Sequence, residues 1–173
     1  MLPSERRAGA FELPAEQAPM NKTGKAFILF LAQGAYAGRS PIAPGTAGTL
    51  VGVLLYLGMR DLSPVLYGML IVLFCFLGTF SAGRAEEMLG SKDNPSIVID
   101  EIAGYLIAMF MVPPSWVAVA AAFFVFRFFD IVKPWPLHRL QDLPGGLGVM
   151  LDDIGAGIYT NIAFQIAVHY KIL

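Results

Sequence analysis

Hydrophobic residues fall in long blocks along this chain and do not alternate with polar ones. That pattern predicts helices and gives no sign of half-buried strands. Five apolar stretches stand out: Thr46 to Met59, Leu62 to Gly83, Ile97 to Val112, Ser115 to Val132 and Ile154 to Tyr170. A shorter apolar piece, Ala26 to Leu31, predicts a helix lying on or in a membrane surface. Asn94-Pro95 fits an N-cap followed by proline at the first helical position. Pro113-Pro114 breaks the third stretch from the fourth and predicts a helical hairpin. Asp152-Asp153 precedes the fifth stretch and predicts its cap. The expected fold is all-α: a compact, membrane-embedded bundle of about six helices, several of them short or hairpin-linked. Residues 1–25, rich in Pro, Ala and Glu with no long apolar run, read as a flexible cytosolic tail and not a secretory signal. Residues 26–173 then form the helical membrane domain.

Length tests the membrane reading. A hydrocarbon core of about 30 Å takes about 20 helical residues. Leu62 to Gly83 meets this without interruption; Thr46 to Met59 is too short and Ile97 to Val112 marginal. Composition agrees: 56% of the 173 residues are apolar and 14% charged, with a mean hydropathy of +0.62, too few charges to cover a freely soluble domain of this size. A net charge of −1 excludes the basic face of a nucleic-acid binder. The single cysteine, Cys75, forms neither an internal disulfide nor a cysteine-rich zinc site.

The distribution of charge says more than its amount. With five spans and the N-terminus inside, Arg6, Arg7, Lys22, Lys25, Arg39, Arg84, Lys92, Arg127, Lys133 and Arg139 are cytosolic. Only Arg60 and Lys171 are outside, a strong positive-inside bias. The same arrangement brings Asp100, Glu101, Asp130, Asp152 and Asp153 to the cytosolic ends of their helices. Acids gathered near membrane depth are costly and mark function. They repel one another unless a cation sits among them, and carboxylate oxygens suit a hard ion such as Mg²⁺. Each also has an ordinary reading: Asp152 and Asp153 as caps, Asp100 and Glu101 as a solvated first turn, Asp130 as a partner of Arg127 or Lys133.

Basic groups converge on the same face. Arg39 precedes the loop Ser40 to Thr49, where glycines admit an anion to backbone N–H groups and Thr46 or Thr49 offers a hydroxyl. No Gly-Lys-Ser/Thr follows, so this is not a P-loop. Lys133, His138 and Arg139 flank Pro134-Trp135-Pro136. Several known catalytic motifs are absent. Ser81 stands where a cysteine phosphatase needs arginine after Cys75, and no Asp-x-Asp or Ser-Gly-His motif occurs. The residues alone lead to a metal-assisted reaction on an anionic group near the cytosolic leaflet.

Four ordered blocks carry a resemblance: SPIAPGTAGT (Ser40 to Thr49), DEIAGYLI (Asp100 to Ile107), FRFFDIVKPWPL (Phe126 to Leu137) and PGGLGVMLDDIGAG (Pro144 to Gly157). Together they resemble bacterial phosphatidylglycerophosphatase A over about Lys25 to Tyr170. The resemblance implies an all-helical, Mg²⁺-dependent enzyme of the bacterial inner membrane, with its site facing the cytoplasm. Such an enzyme removes the terminal phosphate of phosphatidylglycerophosphate, a membrane phospholipid, to leave phosphatidylglycerol. It implies catalytic work for Asp100, Glu101, Asp130, Asp152 and Asp153, with Asp100, Glu101, Asp130 and Asp153 holding Mg²⁺. A remaining acid orients an attacking water or serves as nucleophile. Arg39, Thr46, Arg127, Lys133 and Arg139 bind the substrate phosphate. Two readings from other classes compete. A small ion- or proton-coupled transporter predicts acids at the bilayer midplane and broken helices. A scaffold predicts a salt bridge for every acid and no open cavity.

Overall fold

The structure is a computed structural model, and it describes residues 21–172. Among these, seven α-helices and one 3-10 turn form the fold: α1 (Lys22–Ala32), the turn Ala37–Arg39, α2 (Pro44–Met59), α3 (Pro64–Leu89), α4 (Ile99–Ala108), α5 (Trp116–Val132), α6 (Leu137–Leu140) and α7 (Gly146–His169). No strand occurs among the described residues. Most of the tail expected over residues 1–25 lies outside the described residues, and α1 already begins at Lys22.

Each long helix starts and stops for a local reason. Ser63 and Ser115 cap α3 and α5 by accepting from Leu66 N and Ala118 N, and proline occupies the first turn of both α2 and α3. Gly90, in the left-handed region at φ 68°, ends α3. Pro113-Pro114 separates α4 from α5 as expected.

Two expected caps are corrected. Asn94 caps no helix; its side-chain oxygen accepts from Ser96 N and Ser96 Oγ, and α4 begins later, at Ile99. Asp152 and Asp153 do not cap α7, because the helix already begins at Gly146. The Gly-rich run before them, which reads as a loop, is already helical from Gly146, which lies against α3. A Cβ on Gly146 would come within 1.9 Å of the Thr79 carbonyl oxygen.

The helix at the centre is α4. Eight of its ten residues are buried, so it is a core element and not a lipid-facing span. At 1.5 Å per residue it is about 15 Å long, half a hydrocarbon core. Neighbours satisfy the carbonyls at its C-terminal end. Tyr67 donates to Leu106 O at 2.9 Å, and Asn161 donates to Ala108 O at 3.1 Å and Phe110 O at 2.7 Å. Away from water these bonds replace partners that an ordinary helix end takes from solvent. Tyr105 ties α4 to α5 by donating to Val119 O.

Among the described residues only α3, at 26 residues, is both long and apolar enough to cross a membrane. Its outward face shows Val65, Met69, Val72, Leu73 and Phe76 to the surroundings. Exposed apolar side chains continue on α2 (Leu50, Leu54), α5 (Val117, Phe124, Phe128) and α7 (Ile158, Ile162, Ile166).

The crossing of α4 and α7 is built on two glycines. A Cβ on Gly157 would lie 2.3 Å from the Gly104 carbonyl oxygen, and one on Gly104 would lie 2.7 Å from the Asp153 carbonyl oxygen. At Gly157 every near neighbour is backbone, so no side chain can yield. Gly157→Ala is therefore expected to cost roughly 1–3 kcal/mol through overpacking, read as a lower Tm in thermal unfolding. An unchanged Tm would show that α4 and α7 separate without cost.

Candidate active site

The first turn of α4, the last turns of α5, the start of α2 and the second turn of α7 meet at one end of the bundle. They enclose a cavity of about 330 Å³. Asp100, Glu101, Asp130, Asp152 and Asp153 all line it, together with Arg127 and Lys133. Three separate helices thus bring their carboxylates to one place, as the charge count along the chain predicts. Asp100 and Glu101 enjoy the positive end of α4. Asp130 sits near the C-terminus of α5, where an acid is disfavoured, and Arg127 one turn earlier holds it at 2.5 Å.

The acids divide into two kinds. Asp130 and Asp152 have cations: Arg127 for the first, Lys133 for the second. Asp100 and Asp153 have no ion pair among the described residues, and Glu101 has only the longer 3.7 Å contact with Arg127 Nη1. One carboxylate oxygen from each of Asp100, Glu101 and Asp153 can be chosen so that all three lie within 4.8 Å of one another. Asp100 Oδ1, Glu101 Oε2, Asp152 Oδ1 and Asp153 Oδ2 are buried with no hydrogen-bond partner. A buried unpaired carboxylate oxygen is expensive, and three sets of them side by side are more so.

Proton affinities follow. Burial pushes Asp100 well above the usual carboxylate range, and the charges of Glu101 and Asp153 add to it. Asp153 is raised in the same way, by burial first and then by Asp130 and Glu101. Burial also raises Glu101 and Asp152, but Arg127 opposes the shift on the first and Lys133 on the second. Lys133 itself is disfavoured by burial, yet the Asp152 carboxylate overrides this and raises its pKa.

The three-acid cluster fits a hard divalent cation. It supplies oxygen donors, excess negative charge and free lone pairs, the features by which Mg²⁺ is held. Gly45 at the start of α2 backs against it: a Cβ there would lie 2.2 Å from Glu101 Oε1 and 3.0 Å from Arg127 Nη1.

Three of the expected phosphate ligands are not brought to the cavity. Arg39 is exposed; its Nε donates to Gln33 Oε1 at 2.8 Å and its guanidinium lies 4.1 Å from the centre of the Tyr36 ring. Arg139 is exposed on the short α6. Thr46 does not line the cavity, and the Thr49 hydroxyl donates to Gly45 O inside its own helix. Asp130 lines the cavity but stands outside the three-acid cluster. The structure also adds a rim that the sequence did not suggest, Asp93, Asn94 and Pro95. The Asn-Pro pair was visible, but it reads as a helix start. The scaffold reading fails here, since the cavity is open and two of its acids lack ion pairs.

Comparison with known proteins gives the context. The family model described as Phosphatidylglycerophosphatase A matches residues 30–168. Among curated proteins, the chain is 36% identical over 145 residues to the phosphatidylglycerophosphatase A of Escherichia coli K12, covering 82% of this chain and 84% of that protein. It is 38% identical over 149 residues to the phosphatidylglycerophosphatase A of Haemophilus influenzae, covering 84% and 91%. A Bacteroides thetaiotaomicron protein provisionally named as a phosphatidylinositol-3-phosphatase is 39% identical over 140 residues, covering 76% and 87%. No solved structure matches. An enzyme family leaves no place for the transporter reading: the chain belongs to the phosphatidylglycerophosphatase A family and is a phosphatase.

Proposed function

We propose that the chain hydrolyses the terminal phosphate of phosphatidylglycerophosphate, with Mg²⁺ held by Asp100, Glu101 and Asp153. The observation that carries this is the set of buried, partnerless carboxylate oxygens on those three acids, gathered in one cavity with the unpartnered Nε of Arg127. Asp100, Glu101 and Asp153 would hold Mg²⁺, and it would supply positive charge to offset that on the phosphoryl oxygens.

The remaining side chains divide the chemistry. Arg127 has Nε buried and unpartnered, a donor available to a phosphate oxygen. Asp130 anchors that arginine from the next turn of α5. Asp152 has one oxygen held by Lys133 and the other, Oδ1, buried and free. That free oxygen orients the attacking water and takes its proton. Burial raises the pKa of Asp152 and so makes it a better base than an exposed aspartate. The water oxygen bonds to phosphorus as its proton passes to Asp152, the bond from phosphorus to the glycerol oxygen breaks, and that oxygen takes a proton from solvent to leave as the hydroxyl of phosphatidylglycerol, while Asp152 returns its proton to solvent.

The chain is further read as an inner-membrane protein with this cavity at the cytosolic leaflet. The length of α3, the exposed apolar side chains around the bundle and the clustering of Lys and Arg toward the cavity end support that placement.

Two outcomes test the reading. Purified protein is expected to release phosphate from phosphatidylglycerophosphate with Mg²⁺ and to stop in EDTA. Gly45→Ala, which pushes on Glu101, should raise the half-saturating Mg²⁺ roughly tenfold, the scale of a disturbed ligand support. Activity that survives EDTA would remove the metal from the account. Separately, Asp152→Asn should lower kcat about 10²- to 10⁴-fold, the usual span for a lost general base, with the Mg²⁺ requirement unchanged. Normal turnover in this variant would assign water activation elsewhere.

A further inference from the structure

The cavity is not polar all round. Its rim is polar on the side of Asp93 and Asn94, while Ala43, Pro44 and Ile131 form an apolar part of its wall. Ile131 is 71% exposed although it lines the cavity, and it directly follows Asp130. Behind it the outward face of α5 continues as Phe128, Phe124 and Val117, all exposed. Their spacing of three, four and seven residues puts them on one side of the helix. Arg127 and Asp130 point from α5 into the cavity, so one helix carries the polar wall on one side and an apolar track on another. On the other flank, exposed Ile42 precedes the cavity-lining Ala43-Pro44.

From these features we infer that the lipid substrate enters sideways, with an acyl chain lying along the α5 track and its phosphate headgroup turning at Ile131 into the cavity. This rests on the phosphatase reading above and assigns residues that bind the lipid but do none of the chemistry. The occupant follows from continuity: a ligand that is anionic at one end and hydrocarbon at the other matches a charged cavity opening onto an apolar track. The length also fits. Val117 to Ile131 covers fifteen residues, so fourteen rises of 1.5 Å give about 21 Å, more than enough to run the depth of one leaflet of hydrocarbon at about 15 Å. The α3 surface is just as apolar but has no such link, since none of its residues lines the cavity.

The test is the kinetics of the full chain on dipalmitoyl phosphatidylglycerophosphate in detergent mixed micelles, varying its surface mole fraction. Ile131→Gln and Phe128→Gln each replace an exposed side chain and leave the core intact. Each is expected to raise KM by about tenfold, the order expected for losing one apolar contact, with kcat within about twofold. Val72→Gln, on α3 and 70% exposed, is the matched control and should change neither. The inference is overturned if KM stays unchanged in the α5 variants, if kcat falls in place of a KM rise, or if Val72→Gln has the same effect. Failure of the phosphatase reading itself looks different: the unsubstituted chain then releases no phosphate at all.

Discussion

Mutual repulsion among buried carboxylates is the constraint around which this protein is organised. Five acids line one cavity, and the two cations facing them, Arg127 and Lys133, each pair most closely with one acid. Asp100, Glu101 and Asp153 are left largely buried, without a close cation and with free lone pairs, and each is pushed toward holding a proton. No arrangement of this kind is favourable by itself. On the proposed reading, a cation and an anionic substrate complete such a site, and its acids are kept at the expense of the fold's stability.

The rest of the bundle keeps these groups from moving apart. Backbone contact at Gly104 and Gly157 fixes α7 against α4, which sets Asp153 beside Asp100. Tyr67 and Asn161 absorb the carbonyls at the far end of α4, so a ten-residue helix can stay buried. The α5 helix then supplies Arg127 and Asp130 on one side and, on the inference drawn above, the lipid track on another. Chemistry and substrate delivery thereby share one rigid element, which favours precise placement.

Much of this was legible in the sequence because it depends on local signals. Block hydrophobicity gave the helices, Pro113-Pro114 the break between α4 and α5, and the asymmetry of Lys and Arg the common end at which the acids meet. The parts that were not legible depend on distant contacts. Gly146 and Gly148 look like loop residues until α3 is seen lying against Gly146. Arg39 is a different case: Gln33 and Tyr36, which hold it, are near in sequence, but the left-handed turn over Gly34, Ala35 and Tyr36 that brings them to it is not evident from residue type. Ile97 to Val112 looks like a marginal span, whereas its helix is enclosed by its neighbours. Thr46 and Arg139 carry suitable groups near the correct blocks, but the turn of α2 and the position of α6 leave them outside the cavity wall.

The central claim is that Asp100, Glu101 and Asp153 form a repulsive cluster awaiting a cation, and thermal unfolding addresses it without relying on activity. Tm of the unsubstituted chain and of Asp153→Asn would be measured in detergent, each with EDTA and with Mg²⁺. Without metal the variant should melt higher, because one member of the mutually repelling, partnerless acid cluster is gone. With Mg²⁺ the unsubstituted chain should rise by a few degrees, roughly, through ligand binding to the folded state, and the variant should rise much less. If Asp153→Asn melts lower in EDTA and both proteins respond alike to Mg²⁺, the cluster is a stabilising structural network and the account is wrong.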